Sequence, residues 1–245
     1  MKIFIAGLTG ATGRLLASQL LANGHTVFGF ARDPNTLPIN IRFHWNMRIQ
    51  QGSLLDVPDK ELHAVLNEVE GIACCLGHNL TRQGIWGQPR TLVRDAVQRL
   101  VELTQHTPMR LVLMSSNGVI NIHNNEQLKR VDRAVISVLR KILPPHKDNE
   151  LAAALLQNQT YSNLEWCIVR PDNLVDHDDV TDYKAFASPQ LGVITDTGQT
   201  SRINVAHFMS TLLTDEVTWE NWRGQWPVLY NAADLHEKCI SFSSF

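Results

Sequence analysis

The chain has 245 residues, 44% of them hydrophobic and 19% charged, with a formal net charge of −2 at pH 7. That length suits a single α/β domain with a sizeable core, and the near-neutral balance excludes the electrostatic footprint of a nucleic-acid binder or of a protein held on an acidic membrane. No apolar run is long enough for a signal peptide or a membrane span, and the four cysteines show neither zinc-ligand spacing nor a disulfide framework, so a cytoplasmic chain with buried thiols is expected.

Ile3, Phe4, Ile5 and Ala6 form a short apolar run, the pattern of a strand buried on both faces. The run breaks into Gly7-Leu-Thr9-Gly10-Ala11-Thr12-Gly13. Helical periodicity follows from Arg14 to Ala22, with Leu15, Leu16 and Leu20 on one face, and stops at Asn23-Gly24, a C-cap signal. Strand, glycine turn and helix start together make a cradle for a pyrophosphate. The glycines allow a tight turn and a close backbone approach, and the free N–H groups of the helix start face the anion. Thr26 to Ala31 reads as a second strand ending at Arg32, with a turn at Asp33-Pro34-Asn35. Residues 37–45 read as loop with room for a short helix, and Arg48 to Gln51 as a third strand running into Gly52-Ser53-Leu54-Leu55-Asp56.

Pro58 marks the first position of a helix that carries Leu62, Val65, Leu66 and Val69 at helical spacing and closes at Gly71. A continuous apolar strand over Ile72 to Leu76 leads through Cys75-Leu76-Gly77 to a polar loop from His78 to Pro89. The next helix turns Leu92, Val93, Ala96, Val97, Leu100 and Leu103 inward. Arg110 to Met114 is the fifth strand and ends in Ser115-Ser116-Asn117-Gly118. Helices are expected over 126–143, closed by Pro144-Pro145, and from about Asp148 to Gln159. Glu165 to Arg170 makes a sixth strand followed by Pro171-Asp-Asn. A short strand near Gly192–Thr195, a helix from Asn204 to Leu213 and a strand near Trp226–Tyr230 complete the chain.

Alternating strands and helices argue an α/β fold, a Rossmann-type doubly wound parallel sheet in which ligands bind beyond the carboxyl ends of the strands. We expect a single domain over residues 1–245. Roughly the first 170 residues form the cofactor-binding core, and the remainder a small substrate-side C-terminal subdomain.

The Gly7-x-x-Gly10-x-x-Gly13 spacing, with its Thr-Gly-Ala-Thr-Gly core, resembles the atypical short-chain dehydrogenase/reductases. Within them it is most similar to the NAD(P)H-binding group that includes the flavin and biliverdin-IXβ reductases and the NmrA-like proteins. The resemblance implies a dinucleotide on Gly7, Thr9, Gly10, Ala11, Thr12 and Gly13. Where an acid would bond the ribose 2′-OH of NAD, Arg32 suits a 2′-phosphate, and its Arg-Asp-Pro turn resembles NADP-preferring members. NADP(H) is therefore expected over NAD(H). Gly52 to Asp56 resembles the segment bordering adenine, with Ser53 in place of the usual aspartate and Leu54 lining the pocket. Cys75, Leu76 and Gly77 match the strand ending beneath the nicotinamide ribose. Pro171, in a Trp-x-x-x-Arg-Pro strand, matches the turn that meets the carboxamide.

Ser115-Ser116 matches the family's strand-ending serine pair, where a hydroxyl bonds substrate or nicotinamide, although a serine pair there is also ordinary turn chemistry. Asn117 is near enough to share that role. The Tyr-x-x-x-Lys pair of most short-chain dehydrogenases is missing. None of the three tyrosines, Tyr161, Tyr183 and Tyr230, has a lysine four residues later. As catalytic candidates this leaves Ser116, Lys147 (near the acid Glu150) and His78, with Arg82 and His123 in neighbouring loops. The ten histidines show no metal-ligand spacing, so no metal is expected. The resemblance implies an oxidoreductase passing hydride from NADPH to a planar conjugated acceptor such as a flavin or quinone. The alternative is a non-catalytic NADP(H)-sensing regulator of the NmrA-like type, whose partner would be a protein rather than a small-molecule substrate.

Overall fold

In the computed structural model the described residues are 1–78, 87, 89–104, 106–124, 126, 135–136, 144–159, 161–193 and 196–235. The first half alternates as its apolar pattern requires: β1 (Lys2–Ala6), α1 (Ala11–Ala22), β2 (Thr26–Ala31), a four-residue helix α2 (Ile39–Arg42), β3 (Met47–Gln51), α3 (Asp59–Leu66), β4 (Gly71–Cys74), α4 (Leu92–Thr104) and β5 (Met109–Met114). Then come α5 (Pro144–Asn158), β6 (Leu164–Pro171), β7 (Asn173–Val175), β8 (Tyr183–Phe186), β9 (Gln199–Ser201), α6 (Arg202–Thr214), α7 (Glu216–Trp222) and β10 (Val228–Asn231).

The strands form one eight-stranded sheet in the order β3-β2-β1-β4-β5-β6-β10-β8, beside a two-stranded β7-β9 pair. Every pairing in the large sheet is parallel except β10 with β8. This is the doubly wound arrangement, and successive side chains on each central strand enter opposite cores. Phe4, Ile72, Leu111 and Ile168 pack on the face covered by α3, α4 and α5. Ile3, Ile5, Ala73, Val112 and Val169 pack on the other face against α1 and α6.

Several boundaries differ from expectation for identifiable reasons. Pro58 is the N-cap of α3 rather than its first residue, and Gly71 pairs with Ile3 and Arg110 as part of β4. Although β4 ends at Cys74, Cys75 still donates its N–H to the Ala6 carbonyl at 2.8 Å. Pro144-Pro145 opens α5, which is where a residue lacking an N–H costs nothing. The helix expected over 126–143 lies largely outside the described residues. Gly192 and Val193 are not in a strand, and 194–195 fall outside the described residues; the strand on that stretch of chain is β9. The C-terminal part is joined to the core sheet, since β10 pairs with β6 and carries β8 on its outer edge. No helix among the described residues is long and apolar enough to cross a membrane.

A buried ion pair fixes the carboxyl end of β6. Arg170 is fully buried and meets Glu126, whose side chain is 5% exposed, through two contacts of 2.8 and 2.6 Å. The guanidinium also donates to the carbonyls of Trp226 (3.0 and 2.7 Å) and Val119 (2.9 Å), while Glu126 accepts the Asn121 N–H at 2.8 Å. One side chain thereby joins β6, the loop after β5 and the approach to β10. Burial likewise pushes the Cys74 thiol up to about 12, and raises Cys75 and Cys167 as well. Arg170→Met should destabilise the fold by about 3–5 kcal/mol in urea titrations, because Glu126 is left buried and unpaired. The Arg170→Met/Glu126→Leu double variant should regain most of that loss; an equal loss in the double variant would show that the carbonyl contacts, not the ion pair, carry the stability.

Candidate functional site

Because the strands from β1 to β6 run parallel, the segments after them emerge along one edge of the sheet: 7–13 after β1, Arg32 after β2, 52–57 after β3, 75–78 after β4, 115–118 after β5 and Asp172 after β6. The strand order reverses between β1 and β4, and the glycine turn sits at that point. Gly7 has φ +82°, the left-handed region that a side chain disfavours, and a Cβ there would lie 2.8 Å from the Cys75 carbonyl group. A Cβ on Gly13 would lie 2.2 Å from the Gly7 oxygen, and one on Gly10 3.1 Å from it. The turn closes with Gly10 N–H to the Gly7 carbonyl at 2.9 Å. Underneath, fully buried Leu8 plugs into the space left by Gly29, whose Cβ would be 2.9 Å from Leu8 Cδ2. The sequence reading missed Leu8 because nothing marks an apolar residue inside a glycine turn as an anchor.

Gly10 is the N-cap of α1 and provides no side-chain cap, so the first-turn amides face outward beside exposed Thr9 and Ala11, with Thr12 buried behind them. That is an anion-binding helix start. Arg32 is exposed and makes no ion pair among the described residues, while its carbonyl is held by Gln51 at 3.2 Å. Asp33 is occupied capping the turn at Pro34–Thr36, accepting the Asn35 N–H at 3.0 Å. Ser53 is half-buried and Leu54 buried. Arg99 of α4 fastens this segment by donating to the carbonyls of Leu54 and Val57 and pairing with Asp59 at 2.6 Å. Half-buried Leu76 packs on the α3–α4 core, and at exposed Gly77 a Cβ would meet no described residue within 4 Å. An uncapped glycine turn, an exposed arginine and the side-chain-free Gly77 at the end of β4 fit a dinucleotide laid along this edge.

His78 is placed as a tie. Its Nε2 lies 2.8 Å from Oδ2 of Asp148, with both side chains buried. Asp148 also accepts the backbone N–H groups of Val93 (2.8 Å) and Arg94 (3.0 Å), capping α4 from α5. This carboxylate, missed in the sequence, holds three segments together. Lys147 is exposed at the start of α5, His123 is exposed in a short turn, and Arg82 lies outside the described residues.

Ser115 is buried and donates its N–H to the Val169 carbonyl at 2.8 Å, while Asn117 does the same to the Pro171 carbonyl at 2.9 Å. Pro171 is the last residue of β6 and is buried. Asn117 Nδ2 donates to Asp172 Oδ2 at 3.1 Å, and that carboxyl group accepts the Gly198 and Asn173 N–H groups too. Beside it the Tyr230 hydroxyl accepts the Gln190 N–H at 3.2 Å, and burial holds this phenol above its ordinary range. Among the described residues no group of three or more metal-ligating side chains forms.

A family model described as NAD(P)H-binding matches residues 7–216. An uncharacterised chloroplastic protein of Arabidopsis thaliana is 28% identical over 76 residues, 31% of this chain and only 27% of that relative. Among solved structures, a wide-type short-chain dehydrogenase/reductase from Veillonella parvula, in complex with NADP, is similar with a TM-score of 0.69 at 17% identity, covering 94% of each chain. A candidate NADH-flavin reductase from Streptococcus pneumoniae gives 0.71 at 16% identity over 94% of this chain and 99% of its own. An anaerobillin reductase from Escherichia coli O157:H7 gives 0.66 at 16% identity over 95% and 98%. At these identities the likeness shows a shared fold.

The glycine contacts separate two effects. Gly13→Ala forces a Cβ against the Gly7 backbone, so NADPH affinity measured by fluorescence titration should fall by about tenfold or more. Gly24→Ala meets no atom within 4 Å but strains a φ of +78°. It should lower the melting temperature while leaving that affinity intact, and equal affinities in the two variants would remove the turn from the site.

Proposed function

We propose, for a chain that belongs to the NAD(P)H-binding family, NADPH-dependent reduction of a planar conjugated acceptor, with a flavin or a quinone as the acceptor class. The observation that carries this reading is the strand-end edge. It joins an uncapped glycine turn, an exposed arginine at the end of β2 and the buried Ser115–Asn117 turn at the end of β5. Bound there, the dinucleotide supplies hydride, and the chain's own residues position it.

Arg32 is the residue that favours NADPH. Its guanidinium is available to a 2′-phosphate, because Asp33 is committed to its own turn. The flavin reductase of similar fold is described with NADH, so the preference rests on Arg32 alone. The missing tyrosine–lysine pair argues against alcohol oxidation and for an acceptor that delocalises charge as it takes up hydride. Two of the structures of similar fold are described as reductases of a flavin and of anaerobillin.

The test is NADPH and NADH oxidation by the purified protein, followed by absorbance with FMN or a naphthoquinone as acceptor. Acceptor-dependent turnover that favours NADPH is expected. Arg32→Ala should raise the NADPH dissociation constant by ~10- to 100-fold, the size of a lost charge-assisted contact, and change the NADH value by less than about twofold. Equal losses for the two dinucleotides would remove Arg32 as selector. Tight NADPH binding without any turnover would leave a sensor of the cofactor instead of an enzyme.

A further inference from the structure

Three buried side-chain polar atoms at the end of β5 and the start of α5 have no hydrogen-bond partner among the described residues: Ser115 Oγ, Asn117 Oδ1 and His146 Nε2. Buried polar groups are normally paired, so Ser115 Oγ and Asn117 Oδ1 ask for a partner, whereas His146 Nε2 faces a carboxylate. Asn117 cannot satisfy itself by turning over, because its Nδ2 is already given to Asp172.

Gly118 supplies the gap. A Cβ at that position would lie 3.1 Å from His146 Cε1, 3.5 Å from His146 Nδ1 and 3.6 Å from Ser116 Oγ. The imidazole and the serine hydroxyl therefore both lie beside the position that residue 118 leaves without a side chain. On the far side of the ring, Glu150 sits one helical turn along α5. Its Oε1 is 3.3 Å from His146 Nε2, within ion-pair reach though out of line for a hydrogen bond. The His146 side chain is 11% exposed and that of Glu150 23%, which is buried enough to hold a geometry and open enough to exchange protons with water.

We infer that Ser116, His146 and Glu150 form a proton-delivery unit for the acceptor, an assignment that rests on the reductase reading above. The Ser116 hydroxyl touches the acceptor; His146 and Glu150 act through it as positioning residues. As the acceptor takes a hydride at one atom, the Ser116 O–H gives its proton to the acceptor oxygen. The serine oxygen takes the proton from His146 Nδ1, and the imidazole is recharged from water. One proton is consumed per NADPH oxidised, and a quinone leaves as quinol. Glu150 keeps the ring facing Gly118 and steadies its positive charge, the logic of an acid–base histidine oriented by a third group. Lys147, the neighbour whose position in the sequence suggested this role, is exposed.

The unit is tested with two acceptors that differ in their need for a proton. A naphthoquinone takes hydride and proton, whereas the planar 10-methylacridinium ion takes hydride alone. Rates are measured with NADPH, after subtraction of the rate without protein, for wild type, His146→Gln, Glu150→Ala, Ser116→Ala and Gly118→Ala. NADPH dissociation constants and melting temperatures are taken in parallel. In His146→Gln, naphthoquinone turnover should fall about tenfold or more, the low end of general-acid effects for a delocalising acceptor. Its acridinium turnover, NADPH affinity and melting temperature should stay near wild type. Gly118→Ala, which pushes the ring aside, and Glu150→Ala should show the same acceptor-selective loss. Ser116→Ala should also weaken naphthoquinone binding in the NADP complex, read by tryptophan quenching. Equal losses with both acceptors, or no loss with either, would overturn the unit. A wild-type protein inert toward both acceptors would instead overturn the reductase reading itself.

Discussion

The fold turns on a contact between two stretches of backbone. The turn after β1 lies directly on the chain leaving β4, so close that a single methyl group at Gly7 would overlap the Cys75 carbonyl group, and α1 lies so close to the turn that one at Gly13 would overlap Gly7. Both approaches set where α1 begins and where its uncapped amides point. The same contact places the end of β4 beneath the cradle, at the point where the sheet's strand order reverses. Hydrophobic burial on two faces holds the sheet together; the glycine contact decides that its edge has an anion-binding end.

Along that edge, each segment is held by a side chain from elsewhere in the fold. Arg99 of α4 grips the turn after β3, Asp148 of α5 joins His78 to the first turn of α4, and Asp172 gathers Asn117 and the 198 turn. Asp148 and Asp172 are buried and hydrogen-bonded, and Arg99 is half-buried, so they rigidify the segments they touch. Against this background Ser115 Oγ and Asn117 Oδ1, buried without a hydrogen-bond partner among the described residues, stand out at the end of β5.

How much of this was legible in the sequence depended on the length of the signal. The N-terminal strand, glycine turn and first helix carried an apolar run, a spacing and a cap in consecutive residues, and they appear as read. The central strands and α4 were equally plain, since each buries a continuous or periodic apolar set. β7, β8 and β9 are three or four residues long, too short for periodicity to separate them from loop. Pro144-Pro145 was ambiguous because proline both ends a helix and begins one, and only packing chooses. Asp148 and His146 had no local signature at all. The first is a cap for a helix more than fifty residues earlier in the chain, and the second matters only because a glycine in another loop leaves room for it.

The Arg170–Glu126 pair has a consequence for which parts of the chain each end of the edge depends on. The glycine turn, α1 and the first four strands of the sheet are complete within the first half of the chain and owe nothing to this pair. The turn carrying Ser115 to Gly118 is different: the carbonyls that complete the guanidinium's shell belong to Val119 and to Trp226, the latter just before the last strand, β10. Without β10 against β6, Arg170 lacks part of its shell, while the loop after β5 keeps its bonds to Val169, Pro171 and Asp172. The two ends of the strand-end edge are thus anchored by different parts of the chain: the glycine turn by the chain leaving β4 and by α6 packed on α1, the Ser115–Gly118 turn by β6 and, through Arg170, by the approach to β10.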